Sequence, residues 1–142
     1  VTFVDDYAHL PREISAVMSA AKTSDDSWGR VVAVFQPNRY NRMAVMSDEY
    51  AMAFVDADVV VITDIYASGT QKIEGVTGHL VVDAVTRAQV NSQVHWHEER
   101  TSLAQFVNRI LRPGDVCISM GCGDIESLPR ELLDVRSGVT RS

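Results

Sequence analysis

Apolar runs of strand length alternate along this chain with stretches of helical period. Residues 1–4, Val-Thr-Phe-Val, read as a strand. Over 11–22, Ile14, Val17, Met18 and Ala21 share one helical face, and Pro11 stands in the first turn, where a helix tolerates its missing N–H. A polar stretch at 23–29 predicts a loop, and the apolar run ending at Phe35 predicts a buried strand over 30–35. A helix over 42–57 and a strand over 58–63 follow. The next 15 residues, 64–78, hold three glycines and no clear period, and loops that long in compact domains are usually functional. The remainder reads as a helix (79–88), a short strand (94–97), a helix (98–111), a turn at Arg112-Pro-Gly-Asp115, a strand (116–120) and a final helix (125–135).

The strands are β-branched and apolar without alternation, and helices lie between them. That pattern predicts an α/β domain of three layers, a mostly parallel sheet with helices on both faces. Such sheets bind ligands in a crevice at the carboxyl ends of their strands. The polar clusters fall there. Asp5-Asp6-Tyr7-Ala8-His9 follows the first strand, Gln36-Pro-Asn-Arg-Tyr-Asn-Arg42 the second, Asp64-Ile-Tyr66 the third and Gly121-Cys-Gly-Asp124 the last. Four strand ends on one edge predict a single composite site.

Composition narrows the partners. At 142 residues the chain is about one domain, and 46% hydrophobic with 23% charged residues is the balance of an ordinary globular protein. A net charge of −6 without a basic run argues against nucleic acid and against an anionic membrane surface. The longest apolar runs are too short to span a bilayer. The opening residues show no signal-peptide pattern. Cys117 and Cys122 match neither a zinc ligand set nor a redox pair, which leaves two reduced thiols in a cytoplasmic protein as the expectation.

Each cluster has a plain reading beside the functional one. Asp5, Asp6 and His9 suit ribose hydroxyls, phosphates or a divalent cation; the alternative is a loop whose Asp caps the next helix. Arg39 and Arg42 straddle a helix start and can hold a carboxylate or phosphate in bidentate fashion; the alternative is a pair of surface arginines. Gly121 and Gly123 let the backbone approach a ligand, or simply make a turn. His95 and His97 share a strand face, but the further ligands a metal needs are not evident, so no metal site is assigned. No P-loop, third dinucleotide-motif glycine or nucleophile elbow occurs. The chain offers anion-handling loops without a phosphate cradle, as half of an active site would.

The segments Val4-Asp-Asp-Tyr-Ala-His-Leu-Pro11, Val34-Phe-Gln-Pro-Asn-Arg-Tyr-Asn-Arg42, Val61-Ile-Thr-Asp-Ile-Tyr-Ala67 and Ser119-Met-Gly-Cys-Gly-Asp-Ile125 stand in a telling order and spacing, with Gly75-Val-Thr-Gly78 inside the long loop. Together they resemble the carboxy-terminal domain of the Mur ligases that build peptidoglycan precursors, in particular the group that joins L-alanine to UDP-N-acetylmuramate. The resemblance covers essentially the whole chain. It implies an enzyme of three domains, the first holding the UDP-sugar, the second carrying the P-loop for ATP, and the third Rossmann-like and closing over both. The chain would then be a fragment that begins at the domain junction, inactive by itself and partnered by the absent amino-terminal and central domains.

The resemblance also implies a reaction: ATP phosphorylates the muramoyl carboxylate and L-alanine attacks the acyl phosphate, with Mg and ATP held mainly by the central domain. It assigns Asp5, Asp6, Tyr7 and His9 to the nucleotide side. Asn38, Arg39, Arg42, Asp64, Tyr66, Gly121 and Asp124 fall to the substrate side. Two positions depart from the pattern. The family usually has a second His where Leu10 stands and commonly His where Asn38 stands; Asn can still donate and accept hydrogen bonds, and Leu can do neither. A murein-tripeptide recycling ligase, a polyglutamylating relative and a non-catalytic nucleotide- or amino-acid-binding module remain as alternatives, while Phe35-Gln-Pro-Asn-Arg-Tyr40 fits the alanine ligase better than the recycling one.

Overall fold

A computed structural model describes residues 1–24, 28–88 and 92–138. Five strands form one sheet: β1 (Thr2–Asp6), β2 (Val31–Phe35), β3 (Val59–Ile62), β4 (Gln93–Trp96) and β5 (Val116–Met120). They lie in the order β1-β5-β2-β3-β4, and every pairing is parallel. β2, β3 and β5 are buried along their whole length, which is why their sequences are apolar on both faces.

Alternate residues of these strands feed two cores, as the pleat requires. Val31, Ala33 and Phe35 pack with α1 (Pro11–Thr23), α2 (Tyr40–Met46) and α3 (His79–Ala88), through Ile14, Met18, Met43 and Val85. Val32 and Val34 pack on the other face with α4 (Leu103–Ile110) and α5 (Leu128–Ser137), through Leu103, Val107, Leu128 and Leu132. β5 lies between β1 and β2 yet sends its chain to the opposite face from theirs. That reversal marks the carboxyl end of β5 as the place where such folds bind ligands.

Several boundaries differ from the sequence reading. β1 runs two residues further, since parallel pairing continues through Asp5↔Ser119 and Asp6↔Met120; both carboxylates end the strand and do not follow it. The helix expected over 42–57 is α2, starting two residues earlier, then a 3₁₀ turn (Ser47–Tyr50) and further turns. Ser47 Oγ donates back to the Met43 carbonyl, the local competition that disfavours Ser inside helices. Tight three-residue bonds then take over, such as Ala53 N to Tyr50 O at 3.0 Å and Ala57 N to Phe54 O at 2.9 Å, and they keep Tyr50 and Phe54 in the core. The last two helices likewise open as 3₁₀ turns, Arg100–Ser102 and Asp124–Ser127. Of the loop expected over 23–29, residues 25–27 lie outside the described ones.

Candidate functional site

The loops after β1, β2, β3 and β5 meet at the carboxyl edge, and much of their polar capacity goes into holding that edge together. Asp5 Oδ1 accepts from Ser119 Oγ on β5 at 2.8 Å, and Asp6 Oδ1 accepts from the Ala8 amide at 2.9 Å. Each acid keeps its second oxygen without a hydrogen-bond partner among the described residues. Glu13, and not an Asp, satisfies the start of α1: its carboxylate accepts from the Leu10 amide at 3.0 Å and the His9 amide at 3.2 Å. Those two backbone bonds hold Glu13 below the usual carboxylate value, with His9 and Arg42 assisting by charge. His9 Nδ1 lies 3.1 Å from the Tyr7 carbonyl and 3.4 Å from Glu13. Tyr7 itself is 69% exposed.

The arginine loop is zipped to the long loop. The Tyr66 amide donates to Pro37 O and the Arg39 amide to Tyr66 O, both at 2.9 Å, and Asn38 Nδ2 donates to Ser68 Oγ at 2.7 Å. This pairing holds Arg39 at φ 69°, a left-handed conformation uncommon for a residue with a Cβ. Arg39 precedes the first turn of α2 and Arg42 lies within it. Neither guanidinium makes a hydrogen bond or ion pair among the described residues. With α2 only seven residues long, anion-holding capacity here resides in the two guanidinium groups and not in the helix end.

Asp64 and Asp124 have structural employment. Asp64 Oδ1 accepts from the amides of Ile65 at 2.8 Å and Gly78 at 3.0 Å, closing the loop it begins. Asp124 Oδ1 accepts from Gln36 Nε2 at 2.7 Å and Arg100 Nε at 3.0 Å. Gly121 adopts φ 144°, and a Cβ there would stand 2.8 Å from Ile125. At Gly123 a Cβ would stand 2.5 Å from the Tyr66 ring, so these glycines permit the turn to lie flat on its neighbours. Tyr50 draws the cluster together: its buried hydroxyl donates to His9 O at 2.6 Å. Burial raises its pKa, and Arg42, Cys122 and Glu13 all lie close enough to act on it by charge.

The sequence-selected residues therefore share one edge in space. Gln36, Glu13, Tyr50 and Arg100 are the contributors that sequence reasoning does not single out. Gln36 had a signal, as the first polar residue after a fully apolar strand. His95 and His97 are elsewhere engaged, both packing on Phe106 of α4, with His97 Nε2 2.8 Å from Ser102 Oγ. Among the described residues no group of three or more His, Cys, Asp or Glu side chains is arranged to hold a metal. Both cysteines are free; burial pushes the Cys117 thiol up to about 12, while Cys122 is half-buried in the turn. No described helix is long and apolar enough to cross a membrane. A cavity of about 340 Å³ opens at the opposite edge of the sheet, among Trp28, Arg30, Asp56 and Asp58, away from all four motifs.

Residues 1–123 match the family model described as Mur ligase, glutamate ligase domain. The chain belongs to the Mur ligase family.

This Mur ligase domain is 43% identical, over 94% of its length, to the UDP-N-acetylmuramate–L-alanine ligase of Gloeothece citriformis. It is 41% identical to the ligase of that name from Microcystis aeruginosa over 95% of its length, and 39% identical to that of Rickettsia rickettsii over 92%. The chain spans 27–28% of the length of these relatives. Among solved structures, a murein peptide ligase from Psychrobacter arcticus aligns over 99% of this chain and 28% of its own, with a TM-score of 0.71 and 18% identity. A domain of a Haemophilus ducreyi protein described as a UDP-N-acetylmuramate:L-alanyl-γ-D-glutamyl-meso-diaminopimelate ligase aligns over 94% of this chain and 89% of its own, with a TM-score of 0.64 and 22% identity. These structures establish the fold, an all-parallel α/β domain of the Mur ligase type.

Proposed function

We propose that this chain is the carboxy-terminal domain of an ATP-dependent ligase that joins L-alanine to UDP-N-acetylmuramate through an acyl phosphate. The observation that carries the reading is the pair Arg39 and Arg42. Two guanidinium groups that make no hydrogen bond or ion pair among the described residues stand at a strand-end edge where other polar groups hold the structure together. That is the form of a receptor for an anion, such as a carboxylate or an acyl phosphate. Relatives 39–43% identical in sequence, from three genera, bear the alanine-ligase name.

In this proposal Arg42, on the first turn of α2, meets the acyl phosphate or the muramoyl carboxylate, and Arg39 meets the carboxylate of the incoming amino acid. Tyr66 and the 121–124 turn wall the amino-acid side, and Asn38 helps by fixing the Ser68 hydroxyl. Tyr7, His9 and the free oxygens of Asp5 and Asp6 face the nucleotide. The domain's work is positioning and charge stabilisation, which can supply most of the acceleration in acyl and phosphoryl transfer. A divalent cation does not fit on these residues alone, because Asp5 and Asp6 each commit an oxygen to the fold and no third ligand stands by among the described residues. We assign its retention, with that of the ATP phosphates, to the rest of the polypeptide. The isolated 142 residues fold but do not ligate, and the working enzyme is cytoplasmic.

The test is ATP-dependent phosphate release by the full-length protein, given UDP-N-acetylmuramate and each candidate acceptor. Release with L-alanine supports the reading. Release only with glycine, serine or a tripeptide keeps the reaction and moves the substrate. No release with any acceptor leaves a non-catalytic binding module as the better account, and turnover by the isolated domain would refute the fragment reading.

A further inference from the structure

Asp124 sits at the carboxyl edge in sequence, and its side chain, 52% exposed, is bonded to two neighbouring segments. Arg100, in the turn after β4, reaches it from a different crossover. One guanidinium serves three residues of the segment that follows β5. Its Nε donates to Asp124 Oδ1 at 3.0 Å, and its Nη2 donates to the Asp124 carbonyl at 3.1 Å and to Ser127 Oγ at 3.2 Å. Its Nη1 and Nη2 hold both oxygens of Glu131 on α5, at 2.9 and 2.8 Å. On the far side, Gln36 donates to Asp124 at 2.7 Å and accepts from the Ile125 amide at 3.3 Å.

The turn so held is intrinsically loose, since two of its four residues are glycine. It is nevertheless packed tightly, with Gly123 beneath the Tyr66 ring and Gly121 against Ile125 and Gln36. We infer that Arg100 is a positioning residue for the acceptor amino acid, clamping Asp124 and Glu131 so that the backbone of 121–123 presents one fixed wall beside Tyr66. The inference rests on the reading above that this edge receives an amino acid. Only a guanidinium supplies the fork that spans two carboxylates and a carbonyl; an ammonium group is a point charge and reaches fewer of them.

The experiment uses the full-length ligase carrying Arg100→Met, Arg100→Lys or, as the milder change, Asp124→Asn. KM and kcat are measured for the acceptor, the UDP-sugar and ATP, beside the melting temperature. Alkylation of Cys122, followed by mass spectrometry, reports the turn directly, with buried Cys117 as the internal control. For Arg100→Met the acceptor KM is expected to rise about tenfold, as small misplacements of positioning groups do, while the other two KM values stay within about twofold. Cys122 alkylation is expected to accelerate, with Arg100→Lys and Asp124→Asn falling between this variant and the parent.

An unchanged acceptor KM in a folded variant would overturn the inference, as would equal losses for all three substrates that track a falling melting temperature. Should the parent use no acceptor at all, the ligase reading fails and the inferred acceptor role falls with it. The clamp is then judged by Cys122: unchanged labelling overturns it, and faster labelling upholds its hold on the turn.

Discussion

The two ends of the sheet are both rich in charge and use it in opposite ways. At the amino end, Arg30 donates to both oxygens of Asp115, at 2.9 and 2.8 Å, and also to the Ile110 carbonyl at 3.0 Å. Asp115 accepts the Arg112 amide at 2.8 Å, and Asp58 accepts the Val31 amide at 2.8 Å. These charges fasten the starts of β2 and β5 together. At the carboxyl end, Arg39 and Arg42 have no such partners among the described residues, and Tyr7 and Tyr66 are exposed. A cluster of charged residues says little by itself about binding. The informative quantity is the hydrogen-bonding capacity left over after the fold has been satisfied.

Breaking the closed end should give the largest effect on stability. Arg30→Met strands the Asp115 carboxylate, which is only 1% exposed, and should cost about 3 kcal/mol in denaturant unfolding, as removal of one buried partner does. The pH dependence sharpens this. Burial alone would raise the Asp115 pKa, but the bonds from Arg30 and the Arg112 amide overcome it and hold the group below 3.8. A folded-state pKa below the unfolded one contributes stability that is present above 3.8 and is lost as pH falls through the folded value. The parent should therefore weaken on acidification below pH 3.8, and Arg30→Met should lose that part of the slope; an identical acid limb in both proteins would remove the pair from the account.

The open end should answer in the reverse manner. On the proposed function, Arg42→Ala is expected to lower kcat/KM of the full-length protein for UDP-N-acetylmuramate by about a hundredfold, the scale for one charge-stabilising donor. Stability of the variant should stay within about 1 kcal/mol of the parent, since half-buried Arg42 makes no hydrogen bond or ion pair among the described residues. Unchanged kinetics would take Arg42 out of the site. Smallest of the three, Glu13→Ala uncaps α1 and should lower the unfolding free energy by about 1 kcal/mol, read by thermal melting.

Much of this was legible before the structure. β2 and β3 are unbroken apolar runs, and β5 is interrupted only by Ser119, because both faces of each are covered, and the limits that the sequence predicts for α3, 79–88, are the observed ones. The carboxyl edge followed from the order of the elements alone. What escaped depends on contacts distant in sequence. Nothing near Asp124 announces that Arg100, 24 residues earlier, will take its carboxylate, so Asp124 read as a ligand group. Asp64 reads the same way, and its hold on the Gly78 amide through one oxygen is equally silent in the sequence. The 42–57 helix failed for a local reason, since a Ser that bonds its own helix gives no periodic signal. In each case the side chain's type was legible and its partner was not.

The closure of the 64–78 loop bears on how such a domain can change over evolutionary time. Asp64 ties the first and last turns of the loop with one oxygen, while Gly69 and Gly75 near its tip stand in open space. Lengthening a flexible loop is thermodynamically mild, about 0.6 kcal/mol for each doubling, provided its ends stay fixed. Here Asp64 ties the base, and Tyr66, Ser68 and Thr70 are bonded to the arginine loop, so the stretch 71–75 can gain, lose or exchange residues without disturbing the register of β3 or α3. A sheet edge held by bonds distant in sequence thus borders a short segment free to diversify without renegotiating the fold.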